Sequence, residues 1–228
     1  MEGLRLIVLP GVLRPPSDAA LLAEVMSRDA GRLAGGDVLD VCTGSGVLAL
    51  TAARLGACAV AVDLSRRALL NTRLNARLNG LAVTVRRGDL FAPVRGRRFD
   101  LIVSNPPYIP AAPGSFTRGR ARAWDAGPDG RDFLDRLCDE APAHLRPGGR
   151  ILLVHSSLSR PEETKRRLAE QGLDAAVVAE HEGELGEVAR ERLDYLRSLG
   201  VVDGSLRERM VVVEGRAAPA SPLQASTA

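Results

Sequence analysis

Cysteine, histidine and aromatic residues are scarce in this 228-residue chain, and each scarcity argues against a class of protein. Cys42, Cys58 and Cys138 are odd in number and far apart, which excludes a disulfide framework and a Cys-x-x-Cys zinc knuckle. The three histidines are scattered, and none has another at the i, i+4 spacing that places two metal ligands on one helix face. Aromatic residues make up 3% of the chain, too few for a long base-stacking surface. We therefore expect no metal site.

Long hydrophobic runs are also missing. No stretch approaches the roughly 18 apolar residues that a membrane span needs. The apolar run at 6–9 is broken by Pro10 and Gly11 and lacks a basic leader, so no signal peptide is predicted. With 45% hydrophobic residues, the chain is expected to be one cytoplasmic domain without a membrane partner.

Positive charge is carried almost entirely by arginine. Lys165 is the single lysine among 31 basic residues, and the formal net charge is +3. Basic residues cluster at 95–98, 118–122 and 165–167, and most are expected to be solvated. The cluster at 118–122 follows a proline turn at 105–108 and is predicted to flank a substrate entrance.

Apolar strand patterns alternate with helical patterns along the chain. Strands are predicted at 37–41, 59–63, 83–85, 101–103, 150–155, 175–179 and 210–213. Helices are predicted at 19–26, 47–55, 65–79, 132–144, 161–171 and 187–199. The alternation predicts an α/β fold with a doubly wound, mostly parallel, seven-stranded Rossmann-like sheet. We divide the chain into an N-terminal segment and helix (1–36), the sheet domain (37–216) and a disordered tail (217–228).

Three of the helices carry specific expectations. Ser17 or Asp18 is the predicted N-cap of the first helix, and Ser65 is that of the helix at 65–79. The apolar stripe of the helix at 65–79 is predicted to be Ala68, Leu69, Leu74 and Leu78. The stretch at 187–199 is amphipathic and is predicted to be a helix packed on the domain, with a lid or partner surface as the alternative.

The apolar run at 101–103 leads directly into Asn105-Pro106-Pro107-Tyr108. A continuous apolar run is typical of a strand buried in a parallel sheet, so the turn should lie at the sheet edge where α/β folds bind ligands. The two prolines donate no N–H and fix φ, which makes the turn rigid and leaves its carbonyl groups free to accept hydrogen bonds. Such a turn suits a planar NH2 group, whereas an exposed polyproline ligand is the alternative.

A glycine turn joins the first strand to its helix. The residues at 44–49 fit the pattern G-x-G-x-x-A, and Asp63 lies 19 residues beyond Gly44 at the end of the next strand. The glycines let a ligand approach the backbone, and the carboxylate can bind two ribose hydroxyls. The pattern alone fits NAD, S-adenosylmethionine or a purely structural turn. Asp40 and Asp89 end two further strands and favour a cationic, phosphate-free nucleoside, because carboxylates repel a pyrophosphate.

Four motifs together resemble the HemK/PrmC family of class I S-adenosylmethionine methyltransferases, which modify a glutamine side chain in peptide release factors. They are Asp-Val-Cys-Thr-Gly-Ser-Gly at 40–46, the acidic strand end at Asp63, Gly-Asp-Leu at 88–90 and Ser-Asn-Pro-Pro-Tyr at 104–108. The likeness covers about residues 12–158, including a segment at 124–131 that resembles the family's Trp-x-x-Gly-x-x-Gly pattern. The short N-terminal part is similar to the eukaryotic and archaeal branch, which lacks the helical front domain of bacterial PrmC.

The resemblance implies roles for individual residues. Asn105, Pro106 and Tyr108 are the expected catalytic residues: the Asn105 side-chain oxygen and the Pro106 carbonyl accept the two N–H groups of the substrate amide. Pro107 joins these three in contacting the substrate. The expected cofactor-binding residues are Asp40, Cys42, Thr43, Gly44, Gly46, Asp63, Leu64, Asp89, Leu90 and Asn105. A peptide release factor is the expected partner, with a small activator subunit as in some relatives of the short branch.

Three features depart from the family pattern. Cys42 stands where the family usually has glycine, the strand end at 153–155 lacks an acidic residue, and the stretch at 183–209 looks like an addition. These departures leave the substrate more open than the cofactor, so an exocyclic base amine in RNA or DNA and a small-molecule amine or amide remain alternatives. A non-catalytic module fits less well because Asp63 and Asn105 are both present, and nothing in the sequence explains a hydride-transfer site.

Overall fold

The computed structural model describes residues 3–13, 17–114, 124–204 and 206–220. The strands in these ranges are β1 (Asp37–Val41), β2 (Cys58–Asp63), β3 (Val83–Arg87), β4 (Phe99–Ser104), β5 (Leu145–Ser156), β6 (Asp174–Glu184) and β7 (Arg207–Arg216). The α-helices are α1 (Ser17–Arg28), α2 (Ala30–Leu33), α3 (Val47–Arg54), α4 (Arg66–Leu78), α5 (Asp132–Glu140), α6 (Pro161–Glu170), α7 (Glu187–Glu191) and α8 (Leu193–Ser198).

The strands form one sheet in the order β3-β2-β1-β4-β5-β7-β6. β1 is parallel to β2 and β4, and β4 is parallel to β5, whereas β7 runs antiparallel to β5 and β6. The chain order reverses between β1 and β4, and ligands of open α/β sheets bind beyond the carboxyl ends of the strands at such a point. The predicted fold class is confirmed.

The central strands are apolar on both faces because helices cover both sides of the sheet. Leu39 in β1, Leu101 and Ile102 in β4, and Leu152 in β5 have no exposed surface. Helix α3 packs against α1 and α4, while α5 and α6 pack against each other. Polar side chains of the central strands are therefore concentrated at the strand ends, where the candidate site lies.

Several elements differ from their predicted limits. β6 is longer than the strand predicted at 175–179. The prediction missed the outer half of β6, because that half is polar and shows no apolar pattern. The helix predicted at 132–144 ends as α5 at Glu140 and continues as a 3-10 turn at 141–144, since Pro142 has no N–H to donate. The single helix predicted at 187–199 is divided at Arg192 into α7 and α8. Both short helices still pack on the domain, around a small apolar cluster of Leu158, Leu185, Ala189 and Leu196.

The buried face of α4 differs from the predicted apolar stripe. Ser65 caps the helix as predicted by accepting a hydrogen bond from the Ala68 N–H at 3.3 Å. Ala68 and Leu69 are buried, but Leu74 is 39% exposed. Polar side chains occupy much of the buried face instead, namely Asn71, Thr72 and Asn75.

Backbone pairing continues past β7 into the predicted tail. Ala217 donates to the Gly149 carbonyl at 2.8 Å, and the Ala218 carbonyl accepts from the Gly148 N–H at 2.9 Å. Residues 221–228 lie outside the described residues. Among the helices that the structure describes, none has the length and apolarity needed to cross a bilayer. Nor do the described residues contain a group of three or more His, Cys, Asp or Glu side chains arranged to hold a metal ion.

Candidate functional site

The carboxyl ends of β1, β2 and β4 bring three predicted segments together at one edge of the sheet. The Gly44 N–H, in the loop after β1, donates to Asp63 Oδ2 at the end of β2 at 2.9 Å. The Ser104 hydroxyl, at the end of β4, donates to the Val41 carbonyl at 2.7 Å. The acidic strand ends, the glycine turn and the proline turn therefore form one site.

Asp40 is buried at the end of β1. Its Oδ2 accepts hydrogen bonds from the Thr43 hydroxyl at 2.5 Å and from the Ala49 N–H at 3.0 Å, but its buried Oδ1 has no hydrogen-bond partner among the described residues. Burial raises the pKa of Asp40 to about 7, with a further contribution from the Asp63 charge and against the effect of the two hydrogen bonds. A buried carboxylate oxygen without a partner suits a cationic ligand group, such as the ammonium of a methionine moiety.

We expect the pKa of Asp40 to make the affinity for the cofactor that the family resemblance implies depend on pH. A cation beside Asp40 favours its ionised form, so affinity should rise with pH up to about 7, by as much as about tenfold per pH unit. The raised pKa also affects the stability of the protein without a ligand, because the folded state binds the Asp40 proton more tightly than the unfolded state does. This stability therefore falls as pH rises from 3.8, the ordinary pKa of an aspartate, to about 7.

Calorimetric titration with S-adenosylmethionine between about pH 6 and 8 measures this dependence. Asp40→Asn is the matched control, because it cannot ionise and should lose the part of the pH slope that Asp40 contributes. Equal slopes in the two proteins would show that Asp40 does not face the cofactor.

The glycine turn has a backbone conformation that residues with a side chain adopt only at a cost. Gly46 has φ +86°, and a Cβ there would lie 2.7 Å from the Thr72 side chain. A Cβ on Gly44, at φ +54°, would meet no atom nearer than 4.0 Å, so the space beside this residue is open to a ligand. Cys42 also has a positive φ of 61°, a conformation that costs a non-glycine residue about 1–2 kcal/mol. This explains why glycine is usual at that position in the family that the motifs resemble. Burial raises the pKa of the Cys42 thiol.

Asp63 and Leu64 present a carboxylate beside an open apolar side chain. Asp63 accepts hydrogen bonds from the backbone N–H groups of Gly44 at 2.9 Å and Ser65 at 2.8 Å. Burial raises the pKa of Asp63, and these backbone donors oppose the shift. Leu64 is 55% exposed. The pair offers ribose hydroxyls an acceptor and a nucleobase an apolar surface.

Asp89 and Leu90 lie at the end of β3 in different surroundings. The Asp89 carboxylate forms a two-pronged ion pair with Arg136, at 3.2 and 2.6 Å. Leu90 has φ +41°, and its side chain packs into the main hydrophobic core. A base near Asp89 would therefore share this carboxylate with Arg136, a contact that the sequence did not indicate.

Asn105 is oriented by Asp18 in the N-terminal helix. Asn105 Nδ2 donates to Asp18 Oδ2 at 3.2 Å, and the Tyr108 hydroxyl donates to the same oxygen at 2.8 Å. Because Asp18 binds the NH2 end of the Asn105 amide, Oδ1 remains as the acceptor end. Sequence reasoning treated Asp18 only as a helix cap and missed this role, since no local signal links residues 87 positions apart.

Burial raises the pKa values of both Asp18 and Tyr108. Asp18 is 3% exposed, and its burial raises its pKa against the hydrogen bonds from Tyr108 and Asn105. The pKa of Tyr108 is raised well above 10, first by burial and then by the charges of Asp18 and Glu208. The Tyr108 hydroxyl therefore stays protonated and acts as a donor. Pro106 is buried and Pro107 is half-buried, so the turn itself is held by packing.

The segment at 124–131 packs against the end of the proline turn through backbone contacts. The Ile109 N–H donates to the Trp124 carbonyl at 3.2 Å. Gly130 has φ +77°, and a Cβ there would lie 2.4 Å from the Tyr108 carbonyl oxygen. The glycine spacing that suggested the family resemblance thus permits a close approach of two backbones.

Residues of the stretch at 183–209 contact the loop that follows the turn. Arg192, between α7 and α8, pairs with the half-buried Asp125 and donates to the Pro110 carbonyl at 3.1 Å. The Tyr195 hydroxyl donates to the Pro128 carbonyl at 2.9 Å. The arginines at 118, 120 and 122, predicted to flank a substrate entrance, lie outside the described residues.

The end of β5 carries a neutral histidine instead of an acid. His155 is fully buried, and burial lowers its pKa to about 4. An acidic group at this edge comes from the neighbouring strand β7, where Glu208 accepts hydrogen bonds from the Ser156 hydroxyl at 2.5 Å and the Gly186 N–H at 2.8 Å. The structure therefore places a carboxylate near the missing position by a contact across the sheet.

Comparison with known proteins identifies related sequences. Residues 14–118 match the family model described as Methyltransferase small domain. The chain is 33% identical over 181 residues to a Methanocaldococcus jannaschii protein named as a protein N5-glutamine methyltransferase, covering 78% of this chain and 89% of that one. It is 39% identical over 159 residues to the release factor glutamine methyltransferase of Geobacter sulfurreducens, covering 66% of this chain and 55% of the relative. The chain thus spans most of the archaeal relative and about half of the bacterial one.

A solved structure has the same fold. It is the Mtq2–Trm112 complex of E. cuniculi, described as responsible for methylation of the eRF1 translation termination factor. The TM-score is 0.65 at 23% identity, with 91% of this chain and 99% of the other covered. At this level of identity the likeness shows the fold.

Proposed function

The chain belongs to the protein N5-glutamine methyltransferase family, and we propose that it transfers a methyl group from S-adenosylmethionine to the side-chain amide of a glutamine in a peptide release factor. The membership confirms the HemK/PrmC resemblance that the motifs indicated. The names of both relatives specify glutamine, and the bacterial name specifies a release factor. A cytoplasmic location belongs to the proposal, because release factors act on ribosomes.

The observation that carries the proposal is the fixed orientation of Asn105. An amide nitrogen is a poor nucleophile because its lone pair is delocalised, so the enzyme must orient the group. Asp18 holds Asn105 Nδ2 at 3.2 Å, which leaves Asn105 Oδ1 as an acceptor beside the rigid Pro106 carbonyl. Two acceptors at one turn match the two N–H groups of a primary amide.

In the proposed reaction, Asn105 Oδ1 and the Pro106 carbonyl hold the substrate NH2 group and aim its nitrogen. Bound S-adenosylmethionine supplies an electrophilic methyl group on a positively charged sulfur. The nitrogen gains positive charge as it bonds to the methyl carbon and the carbon–sulfur bond breaks, and the two acceptor oxygens stabilise that charge until a proton leaves to water. Positioning of this kind can lower a barrier by about 7–11 kcal/mol without a strong base.

The residues around the glycine turn suit S-adenosylmethionine. Asp40 offers its unpartnered Oδ1 to the ammonium group, and the open side of Gly44 admits the ligand to the backbone. Asp63 would bind the ribose hydroxyls, with Leu64 against the adenine. These binding roles are part of the proposal, and the proposed reaction requires no cofactor besides S-adenosylmethionine.

We also propose that a small activator subunit assists the enzyme. The E. cuniculi neighbour was solved together with Trm112. Leu70 and Leu74 of α4 are 48% and 39% exposed, and β3 forms one edge of the sheet. Exposed leucines beside a sheet edge are typical of a surface that another protein covers.

The decisive experiment is transfer of labelled methyl from S-adenosylmethionine to a release factor with a Gly-Gly-Gln loop. We expect label on the loop glutamine and none on the matched Gln-to-Ala substrate. RNA, DNA and small amides are tested in parallel, and label on these alone would replace the proposed substrate. Absence of transfer that is restored by an added activator subunit would support the partner proposal, whereas absence under both conditions would contradict the proposed function.

A further inference from the structure

The N-terminal segment at residues 5–9, which lies outside the seven-stranded sheet, contacts two asparagines of α4 and a third at its C-cap. Asn71, Asn75 and Asn79 are spaced four residues apart and project from one face of the helix. Four helical residues advance about 6.0 Å, close to the roughly 6.7 Å covered by two extended residues. Each asparagine can therefore meet every second residue of an extended chain. Their backbone N–H partners are Leu9, Ile7 and Arg5, in that order.

The asparagine side chains form the backbone hydrogen bonds that a neighbouring β-strand would otherwise provide. Asn75 accepts from the Ile7 N–H at 2.8 Å and donates to the Ile7 carbonyl at 3.0 Å. Asn79 repeats this pair with Arg5 at 2.9 and 2.7 Å. A primary amide carries one acceptor and one donor end, as a peptide unit does. The backbone of the N-terminal segment thus obtains hydrogen-bond partners outside the sheet.

Two of the asparagines also bind the glycine turn. Asn75 Nδ2 donates to the Ser45 carbonyl at 3.0 Å, and Asn71 Nδ2 donates to the same oxygen at 3.3 Å. Asn79 Nδ2 instead donates within its own helix, to the Asn75 carbonyl at 2.8 Å, besides its bond to Arg5. Asn71, Asn75 and Ser45 are each at most 5% exposed. The contact to the turn is therefore buried and specific to two of the three asparagines.

The glycine turn needs such a restraint. Gly44 and Gly46 flank Ser45, and glycine loses more conformational freedom on ordering than any other residue. Both hydrogens of the Asn75 amide are used, one for Ile7 and one for Ser45, so the side chain is aimed correctly only when both partners are in place.

We propose that Asn71 and Asn75 are positioning residues that couple the N-terminal segment at 5–9 to the turn at 44–46, so that the segment sets the turn for S-adenosylmethionine. The inference rests on the proposed function in one respect, that this turn binds the cofactor. Coupling is reciprocal: if the ordered segment raises cofactor affinity, the cofactor must stabilise the segment to the same extent.

Paired variants test the coupling. Asn75→Ala should weaken S-adenosylmethionine binding about tenfold, because of the three bonds that it loses the one to Ser45 holds the turn, and one buried hydrogen bond usually has an effect of this size. Asn79→Ala is the matched control, because it loses an equivalent pair of bonds to the N-terminal segment and one within its own helix but no bond to the turn, and its Kd should stay within about twofold. Isothermal titration measures both, at a temperature where thermal unfolding shows both variants folded. Equal affinities in the two variants would overturn the inference.

Hydrogen exchange on the unmodified chain gives a second test that does not depend on variant stability. With saturating S-adenosylmethionine, the N–H groups of Ile7 and Leu9 should exchange at least about fivefold more slowly, while that of Arg5 changes less. Exchange slowed equally at all three, or at none, would overturn the inference while the measured binding leaves the proposed function standing. Failure of the cofactor to bind at all would instead contradict the proposed function and the inference together.

Discussion

Asn105→Ala should lower the rate of methyl transfer by at least about 10³-fold while leaving the Kd for S-adenosylmethionine within about twofold. The variant loses Oδ1, one of two proposed acceptors for the substrate NH2 group. Without Oδ1 the substrate nitrogen is not aimed at the methyl group, and the positive charge that develops on it is not stabilised. Single-turnover label transfer to a release factor measures the rate, and isothermal titration measures the Kd.

Asn105→Asp is the informative companion. It keeps an acceptor oxygen but loses the Nδ2 donor that Asp18 binds, and it places two carboxyl groups side by side. We expect a loss of about 10²-fold, smaller than that of the alanine variant. If Asn105→Ala instead weakened cofactor binding as much as it slowed transfer, Asn105 would act mainly through the cofactor, and its assignment as an acceptor for the substrate NH2 group would be wrong.

Asp18→Ala should reduce kcat about 10²-fold with little change in the KM for the release factor. The Asp18 carboxylate holds both Asn105 Nδ2 and the Tyr108 hydroxyl, so its removal leaves the Asn105 amide free to rotate. Misplacement of a reacting group by about 1 Å is enough for a loss of this size. Steady-state kinetics with the release factor as the varied substrate separates kcat from KM.

Asp18→Asn distinguishes positioning from general destabilisation. Its Oδ1 can still accept from both donors, so we expect activity within about tenfold of the unmodified chain. Tyr108→Phe removes the second of the two hydrogen bonds and should cost less than Asp18→Ala. Equal losses in Asp18→Ala and Asp18→Asn would show that the ionised carboxylate itself is needed, and that orientation of Asn105 does not explain the role of Asp18.

The sequence predicted the elements that depend on neighbouring residues. The seven strands, the glycine turn and the proline turn were found because apolar runs, glycines and prolines act locally on the backbone. Boundaries failed where tertiary pairing replaced local preference: β6 extends through polar residues because β7 pairs with them. On α4 the apolar period suggested Leu74 as a buried residue, but the structure buries Asn71 and Asn75 because their amides have backbone partners.

The candidate site divides in the same way. Asp40, Gly44, Asp63 and Asn105 were identified because each stands at a strand end or in a short motif that the chain itself spells out. Their chemical states were not: burial raises the pKa of Asp40 to about 7, and burial depends on everything packed around it. A residue type can be read from the sequence, but its desolvation cannot.

The sequence by itself therefore determined the fold class, the family resemblance and the location of both turns, since these depend on contiguous residues and their order. Only the tertiary structure decided which distant residues hold those turns in place. Asp18 meets Asn105 across 87 positions, Asn75 meets Ser45 across 30, and Arg192 meets Asp125 across 67. Each contact joins polar groups that satisfy one another only after the helices have docked on the sheet, and no local pattern in the chain records such a pairing.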